Sequence, residues 1–405
     1  MKSQVGRVLI VVTAVQLVAI CSTFALGIRL PSQGAAATGQ SDAFVAQADD
    51  ATALFYNPAG VTQITGSEIA VGSWNWFPDY RFEGVGTKGR MDKPAFTPHF
   101  YAVSDLGLLR WRFGIAANSV FGTAVDWRDT PSFRFLVTKA NLTVLSIAPS
   151  VAYQVNDHLS VGASLNIYYG NSGLEKNVML APPPFPEGHF RFSGDGVGVG
   201  ATLGLLWKIN TRNSLGVVYR SPFSIEAEGS AEITHPLAGI PDSSTSAQFN
   251  FPQIVTAGYA FRPIMNLKLE ADIEWLNYDS VNEIRFHSSN PAFDGNRIPL
   301  NWKDSFCYRF GTEYKLNDHW AIRAGYAYSE NSVPDKTFSP LVPDLTYHSF
   351  TLGAGYSKPK WGVDMAYQCY ISEPRNVSGS INSPAVDGEW ECQNHAFIVT
   401  ANLKF

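Results

Sequence analysis

The sequence predicts an all-β fold, a transmembrane antiparallel β-barrel of about 14 strands preceded by a short segment that does not read as strand. Three observations lead there. Segment after segment alternates apolar and polar residues with a period of two. The connections alternate between tight turns and long loops. Beyond the first 25 residues, no stretch is apolar for the ~20 residues that a spanning helix needs.

The chain opens like an exported protein. Lys2 and Arg7 are its only charges before Arg29, an apolar run covers Val8 to Ile20, and the small residues Thr23 and Ala25 follow it. A charged n-region, a short h-region and a small-residue cleavage site define a signal peptide over residues 1–25. Removing Lys2 and Arg7 leaves 28 basic residues against 35 acidic ones, a net charge of −7, which argues against nucleic acid as a partner. Cys307, Cys369 and Cys392 remain, too few for a disulfide scaffold or a zinc ribbon. Aromatic residues make up 13% of the chain and charged ones only 16%, against ~25% charged in soluble domains. An exported, aromatic-rich chain without an apolar 20-mer fits a membrane barrel, because only helices and closed barrels satisfy their backbone in lipid.

The alternation places strands. Leu159, Val161, Ala163, Leu165, Ile167 and Tyr169 interleave with Ser160, Gly162, Ser164, Asn166 and Tyr168; Leu267, Leu269, Ala271, Ile273 and Trp275 interleave with Lys268, Glu270, Asp272 and Glu274. A soluble β-sandwich also alternates, but here the polar face carries Gly and charges in bulk, as a wet or loosely filled lumen would. Strands centre near Val71, Phe100, Ile115, Ile147, Leu165, Leu203, Val217, Thr256, Ala271, Phe310, Ala324, Leu352, Met365 and Val399. Tight turns fall at 156–158, 210–213, 262–266, 317–319 and 358–360, and long loops at 171–189, 229–246, 282–301, 329–346 and 372–389. The even strand count puts both termini in the periplasm. The last strand sets Phe397, Val399, Ala401, Leu403 and Phe405 on one face, and its terminal Phe resembles the signal read by the barrel-assembly machinery.

No catalytic residue, metal site or cofactor emerges. The chain lacks Gly-x-Ser-x-Gly, His-Glu-x-x-His and Walker motifs, and the sequence predicts no enzyme. The Gly-rich run Gly194–Gly200 reads as strand with small inward residues rather than a phosphate loop. Residues 26–66, rich in Gly, Ala, Ser and Asp, cannot span lipid; they form either a disordered leader or a plug, with a turn at Asn57-Pro58-Ala59-Gly60 and one helical turn within Ala51–Tyr56.

Within that segment Gly34-Ala35-Ala36, Ala48-Asp49-Asp50-Ala51 and above all Tyr56-Asn57-Pro58-Ala59-Gly60 resemble the N-terminal hatch of the long-chain fatty acid transporter family of outer-membrane proteins, the FadL type, which includes TodX-like aromatic hydrocarbon channels. The likeness runs on in order through Tyr219-Arg220-Ser221, Phe251-Pro252, Trp302-Lys303-Asp304, Tyr308-Arg309, Trp320–Gly325 and Ser332-Val333-Pro334. The resemblance implies a monomeric 14-stranded barrel over residues 67–405, plugged by a hatch over 26–66 in which Asp49, Asp50, Asn57, Pro58, Ala59 and Gly60 act in gating. It implies passive uptake of hydrophobic compounds across the outer membrane of a Gram-negative bacterium. Ligand would land in an outer groove, move to a deeper pocket, and leave sideways into outer-membrane lipid through a gap at an inward kink of the third strand.

Candidate residues follow from this. Leu174, Val178, Met179, Leu180 and Phe185 of one long loop, with Leu237 and Ile240 of the next, are the candidate landing groove, since exposed apolar loops need a reason. Lys303, Arg309, Arg220 and Arg323 are candidate inward cations for a fatty acid carboxylate, with Lys303 the deep ligand lysine that the resemblance implies. The alternative is that they neutralise Glu270, Asp272, Glu274, Glu313 and Asp364. Gly170 stands roughly where the fatty acid transporters carry a binding arginine, a departure that keeps an aromatic or alkane hydrocarbon channel open as an alternative. Gly114 and Gly122 are the candidate strand kink, and Asn57-Pro58-Ala59 is expected at the base of the ligand pocket beside that strand. A structural or adhesive barrel is the alternative from another class. Cys369 and Cys392 lie near facing ends of the last hairpin but on opposite parities, so a disulfide there would need a bulge.

Overall fold

The computed structural model describes residues 27–180, 185–237 and 239–405; the signal-peptide region 1–25 lies outside them. Among the described residues, fourteen antiparallel strands form a closed ring: β1 Ser67–Phe77, β2 Ala95–Ser104, β3 Trp111–Asp126, β4 Lys139–Gln154, β5 Leu159–Val178, β6 Gly188–Lys208, β7 Asn213–Arg220, β8 Ile254–Ile264, β9 Leu267–Leu276, β10 Ser305–Lys315, β11 Trp320–Ser329, β12 Tyr347–Lys358, β13 Trp361–Ser372 and β14 Gly388–Lys404. Each pairs with its neighbours in sequence, and β14 returns to β1 from Glu68↔Lys404 to Phe77↔His395. All fourteen predicted centres fall inside these strands.

Closure follows from the alternation. On β5 the outward Leu165, Ile167 and Tyr169 are exposed, while Ser164, Asn166 and Tyr168 are buried inside. On β9 Leu269 and Ile273 face out, and Lys268, Glu270, Asp272 and Glu274 are buried. A ring whose outer face is apolar and whose inner face is polar suits a bilayer, where a closed sheet leaves no backbone group unpaired. Trp207, Trp320 and Trp361 stand outward near the tight-turn ends of β6, β11 and β13, where amphipathic rings meet the headgroup level.

The loop side differs from the expectation. The segments read as loops at 171–189 and 229–246 are largely strand. β5 and β6 continue as a ribbon to Val178 and from Gly188, and a hairpin of Phe223–Thr234 with Ile240–Phe251 pairs with the upper half of β6. Ser221-Pro222 and Pro252-Gln253 separate this hairpin from β7 and β8. Proline has no N–H to give a ladder, so the ribbon breaks there and resumes. The ribbon then meets Glu283–Ser288 of the next connection. Against the opposite wall, Phe82, Phe133, Phe338, Trp127 and Trp390 pack ring to ring at centroid distances of 4.6–5.9 Å. The three described cysteines are free thiols: Cys369 stands opposite His395 rather than Cys392, so no bridge joins the pair.

Candidate functional site

Residues 27–64 lie almost wholly buried within the ring. Helices α1 Ala35–Thr38 and α2 Ala53–Tyr56 are single turns, followed by a 3₁₀ stretch Pro58–Gln63. Such short helices cannot satisfy their own backbone, and the inward polar side chains of the strands do so instead. Phe44 and Val45 N–H donate to Asp272 Oδ2 (3.0 and 3.2 Å), and Ala46 N–H to Glu270 Oε1 (2.6 Å). Ala51 N–H donates to Glu68 Oε1 (3.2 Å), and Ala35 N–H to Thr400 Oγ1 (2.9 Å). Lys268 Nζ ties Asp49 (2.6 Å) to Glu313 (3.0 Å). Burial alone would raise the Asp49 carboxyl, but the Lys268 charge outweighs it and holds the group at about 2. Asp50 is pushed up to about 7 by burial and by Glu68, although it accepts from Thr52 N (2.8 Å) and Thr52 Oγ1 (2.5 Å).

Asn57-Pro58-Ala59 is inside the ring but not beside the third strand. Asn57 Nδ2 donates to Val45 O (2.8 Å) and to Leu205 O of β6 (3.0 Å), and its Oδ1 caps Ala59 N (3.1 Å). A side chain at Gly162 of β5 or Gly204 of β6 would strike this turn, within 2.5 Å of Ala59 N and 2.3 Å of Asn57 Oδ1. Both glycines sit close to the tight-turn ends of their strands, so the turn belongs near that mouth rather than at the base of a ligand pocket. Gly60 is held equally closely, with Ala48 O 2.3 Å from where its Cβ would stand.

What meets the third strand is the start of the segment. β2 pairs with β3 only from Ser104↔Phe113 to Phe100↔Ala117. Above that, Ala95–His99 pair with β1 alone, and β3 pairs with β4 across an irregularity between Ser119 and Phe121. The freed edge of β3 is taken by the chain's own N-terminus. Leu30 N–H donates to Val120 O (3.1 Å) and Gly122 N–H to Ile28 O (2.8 Å), with Gln33 Nε2 on Ser119 O (2.6 Å). The irregularity therefore centres on Val120, beside Gly122. Gly114 pairs regularly with Val103 and Ser150 and instead makes room for Leu54, 2.7 Å from where its Cβ would stand.

Next to this edge lies an apolar cleft with a cavity volume of about 60 Å³. Ile28, Leu142, Leu174, Phe192, Phe251 and Trp302 are among its walls. Of the proposed groove residues, Leu174 lines it. Val178 and Ile240 pack against the surrounding apolar cluster. Met179, Leu180, Phe185 and Leu237 are exposed at ribbon tips, because the strands carry them beyond the cleft. Lys303 is not an inward residue: it lies in the connection before β10, exposed, on a separate polar cleft with Glu373 and Arg375. Arg309 is buried and paired with Glu274 (2.9 Å), and Arg323 with Glu313 (2.8 Å) and Asp364 (2.7 Å). Among the described residues Arg220 has no carboxylate within ion-pair distance; it donates to Phe55 O and lies over the Phe55 ring, 4.5 Å from the centroid.

Two sets of residues escaped the sequence reading. One is the ring stack Tyr168–Phe223–Phe251, with centroids 3.8 and 4.4 Å apart, which Phe121 joins at 5.1 Å from Phe251. Its members are remote in sequence and no periodicity links them. The other is Arg29, buried over Phe55 and Phe121. It had a signal, being the only charged residue between Arg7 and Asp42.

A closed ring of this kind, filled by its own N-terminus and carrying an apolar cleft on the loop side, defines an outer-membrane transport barrel of a Gram-negative cell. The family model described as outer membrane protein transport protein (OMPP1/FadL/TodX) matches residues 16–405, and the chain belongs to that family. Relatives include the putative outer membrane protein NMB0088 of Neisseria meningitidis serogroup B, 24% identical over 94% of both chains. The long-chain fatty acid transport protein of Escherichia coli K12 is 20% identical over 88% of this chain and 89% of its own. The fold is that of a Pseudomonas aeruginosa FadL homologue, with a TM-score of 0.84, 20% identity and coverage of 94% of this chain and 100% of the other. It is also that of the P. putida toluene transporter TodX, with a TM-score of 0.77, 20% identity and coverage of 93% and 99%.

Proposed function

We propose that the protein carries long-chain fatty acids and similar hydrophobic molecules passively across the outer membrane, without catalysis. The observation that carries this reading is the continuity between the apolar cleft and the edge of β3 that β2 leaves to residues 28–30. Ile28 lines the cleft, and its carbonyl accepts from Gly122 on that edge. An apolar solute gains by leaving water for the cleft and gains nothing from an aqueous pore. Below the cleft residues 27–64 occupy the lumen and act as the plug, so the path of least cost runs sideways between β2 and β3 into lipid. Relatives named as fatty acid transport proteins support the ligand class. The protein acts as a monomer, folded into the outer membrane by the barrel-assembly machinery.

A second reading, a neutral hydrocarbon channel, is favoured by the aromatic stack that reaches the cleft through Phe251 and by Gly170, whose Cβ position meets Ile225 rather than a cation. A strain lacking the gene, complemented with the wild type, tests both: uptake of labelled oleate and of labelled toluene should each rise above the uncomplemented strain. Uptake of neither would overturn the transport reading, and toluene alone would select the second.

A further inference from the structure

The outer wall of the barrel differs between its two ends. At the tight-turn end of β11–β13, Trp320, Tyr356 and Trp361 form one outward aromatic cluster, with ring centroids 4.8 Å apart for Trp320–Tyr356 and 5.6 Å for Tyr356–Trp361. The register makes them neighbours, since Trp320 stands opposite Tyr356 and Lys358 opposite Trp361. Lys358 closes β12 on the outward parity of Tyr356, and Lys360 follows in the turn to β13. Lys358 Nζ lies 5.8 Å from the Tyr356 centroid and 5.6 Å from that of Trp361.

Both lysines are exposed, and neither has a carboxylate within ion-pair distance among the described residues. This sets them apart from Lys268, held inside by Asp49 and Glu313, and from Lys404, drawn to Glu68 at 3.7 Å. Asp364 of β13 is committed to Arg323 on the inner face. Asp318 stays exposed in the adjoining turn, which His319 Nδ1 ties to Ser357 O (2.9 Å). Two lysines thus stand against one aspartate at this corner. Toward the loops the wall continues with outward Ile322, Leu352 and Met365, all exposed and apolar. At the loop end of the same strands the described outward residues include no lysine or arginine; Tyr326, Tyr328, His348 and Tyr367 stand there instead.

Indole and phenol rings settle at the headgroup level of a bilayer. A lysine beside them lays its stem on apolar surface and carries its ammonium into the headgroups. Ammonium groups at that level attract anionic lipid. We propose that this corner binds an anionic phospholipid of the inner leaflet, with its phosphate between Lys358 and Lys360, its glycerol region against the three rings and its acyl chains along Ile322, Leu352 and Met365. The tight turns of such a barrel face the periplasm, which assigns the lipid to that leaflet. A zwitterionic lipid is disfavoured, because its own ammonium repels the two lysines. The site lies on the outer wall, away from cleft and lumen, and does not depend on what the barrel carries.

Native mass spectrometry of the purified full-length mature barrel in detergent tests this, with dioleoyl phosphatidylglycerol and dioleoyl phosphatidylcholine as probes that share their chains and differ only at the head. Wild type should prefer the phosphatidylglycerol roughly tenfold, the scale set by two lysines close to one anionic head. Lys358→Gln with Lys360→Gln should bring that lipid down to the level of the phosphatidylcholine, with the latter bound as before and the heat-dependent gel mobility of the folded barrel retained. Lys88→Gln with Lys93→Gln removes the same charge at the loop end, where those lysines pair with Glu83 and Asp126, and should leave the preference intact. Equal wild-type affinity for the two lipids would overturn the site without any variant being made. A preference that survives in the folded Lys358 and Lys360 variant would overturn it as well. So would one that falls as far in the Lys88 and Lys93 control, because it would then follow net charge rather than place.

Discussion

Single residues decide whether residues 27–64 can sit against the wall. Gly216 of β7 faces inward, and a Cβ there would stand 2.2 Å from Val45 O, a backbone atom with no freedom to swing away. Gly216→Val should cost ~1–3 kcal/mol of docking and leave the strand ladder intact, since β7 pairs through backbone groups. Limited proteolysis of the folded variant should then cut between residues 44 and 52, whereas wild type stays whole; an equally resistant variant would show that the wall yields instead. Lys268 is the electrostatic counterpart. Its removal in Lys268→Met leaves Asp49 without a cation and Glu313 with Arg323 alone, a loss of ~1–3 kcal/mol. Adding Glu313→Gln and Asp49→Asn should restore part of it, because neutral groups need no counter-charge. Urea midpoints of the single and triple variants measure this, and equal midpoints would place the stabilisation elsewhere.

At the scale of elements, the strands were legible and their outer ends were not. A period of two needs only apolar outside and polar inside, which the bilayer enforces over the span of each strand. Outside the membrane that pressure stops. Leu174 and Val178 read as loop because prolines and mixed polarity follow them, yet the backbone of β5 goes on pairing with β6 to Val178↔Gly188. The irregularity of β3 was legible only as a pair of glycines. Gly122 lies beside it, but the irregular residue is Val120, and what fixes it is the arrival of Ile28–Leu30 from far away in sequence. Among the candidate site residues, Arg220 stands where an inward cation was expected. Lys303 does not, because alternation says nothing about a residue beyond its strand. The borrowed pairing on β3 has its own test. In a mature chain that begins after Leu30, hydrogen exchange at Gly122 should speed up roughly fivefold to tenfold, since one hydrogen bond of about 1 kcal/mol is lost. The amides of residues 113–117, which still lie between β2 and β4, should stay protected. Unchanged exchange at Gly122 would mean that the edge is covered by something other than the N-terminus.

For the whole molecule, barrel and N-terminal segment are held by different forces and should separate. The ring is closed by backbone pairing from β1 through β14, and its outer face is stabilised by lipid. The segment is held by inward side chains. Asp272, Glu270, Glu68, Thr400 and Lys268 each bind it, and each would bind water equally well if it were gone. Deleting residues 26–60 while keeping the signal peptide should therefore leave a folded, membrane-inserted barrel that still shows heat-dependent mobility. Its lumen should then fill with water. Planar bilayers holding the deleted protein should show stable ion-conducting steps, and those holding the full chain should show none. Uptake of oleate should fall, because Ile28 of the cleft wall and the segment that covers the β3 edge go with the deleted residues. A deleted protein that inserts and remains electrically silent would mean that residues 27–60 are not what blocks the lumen, and the sideways route would lose the physical reason for being taken.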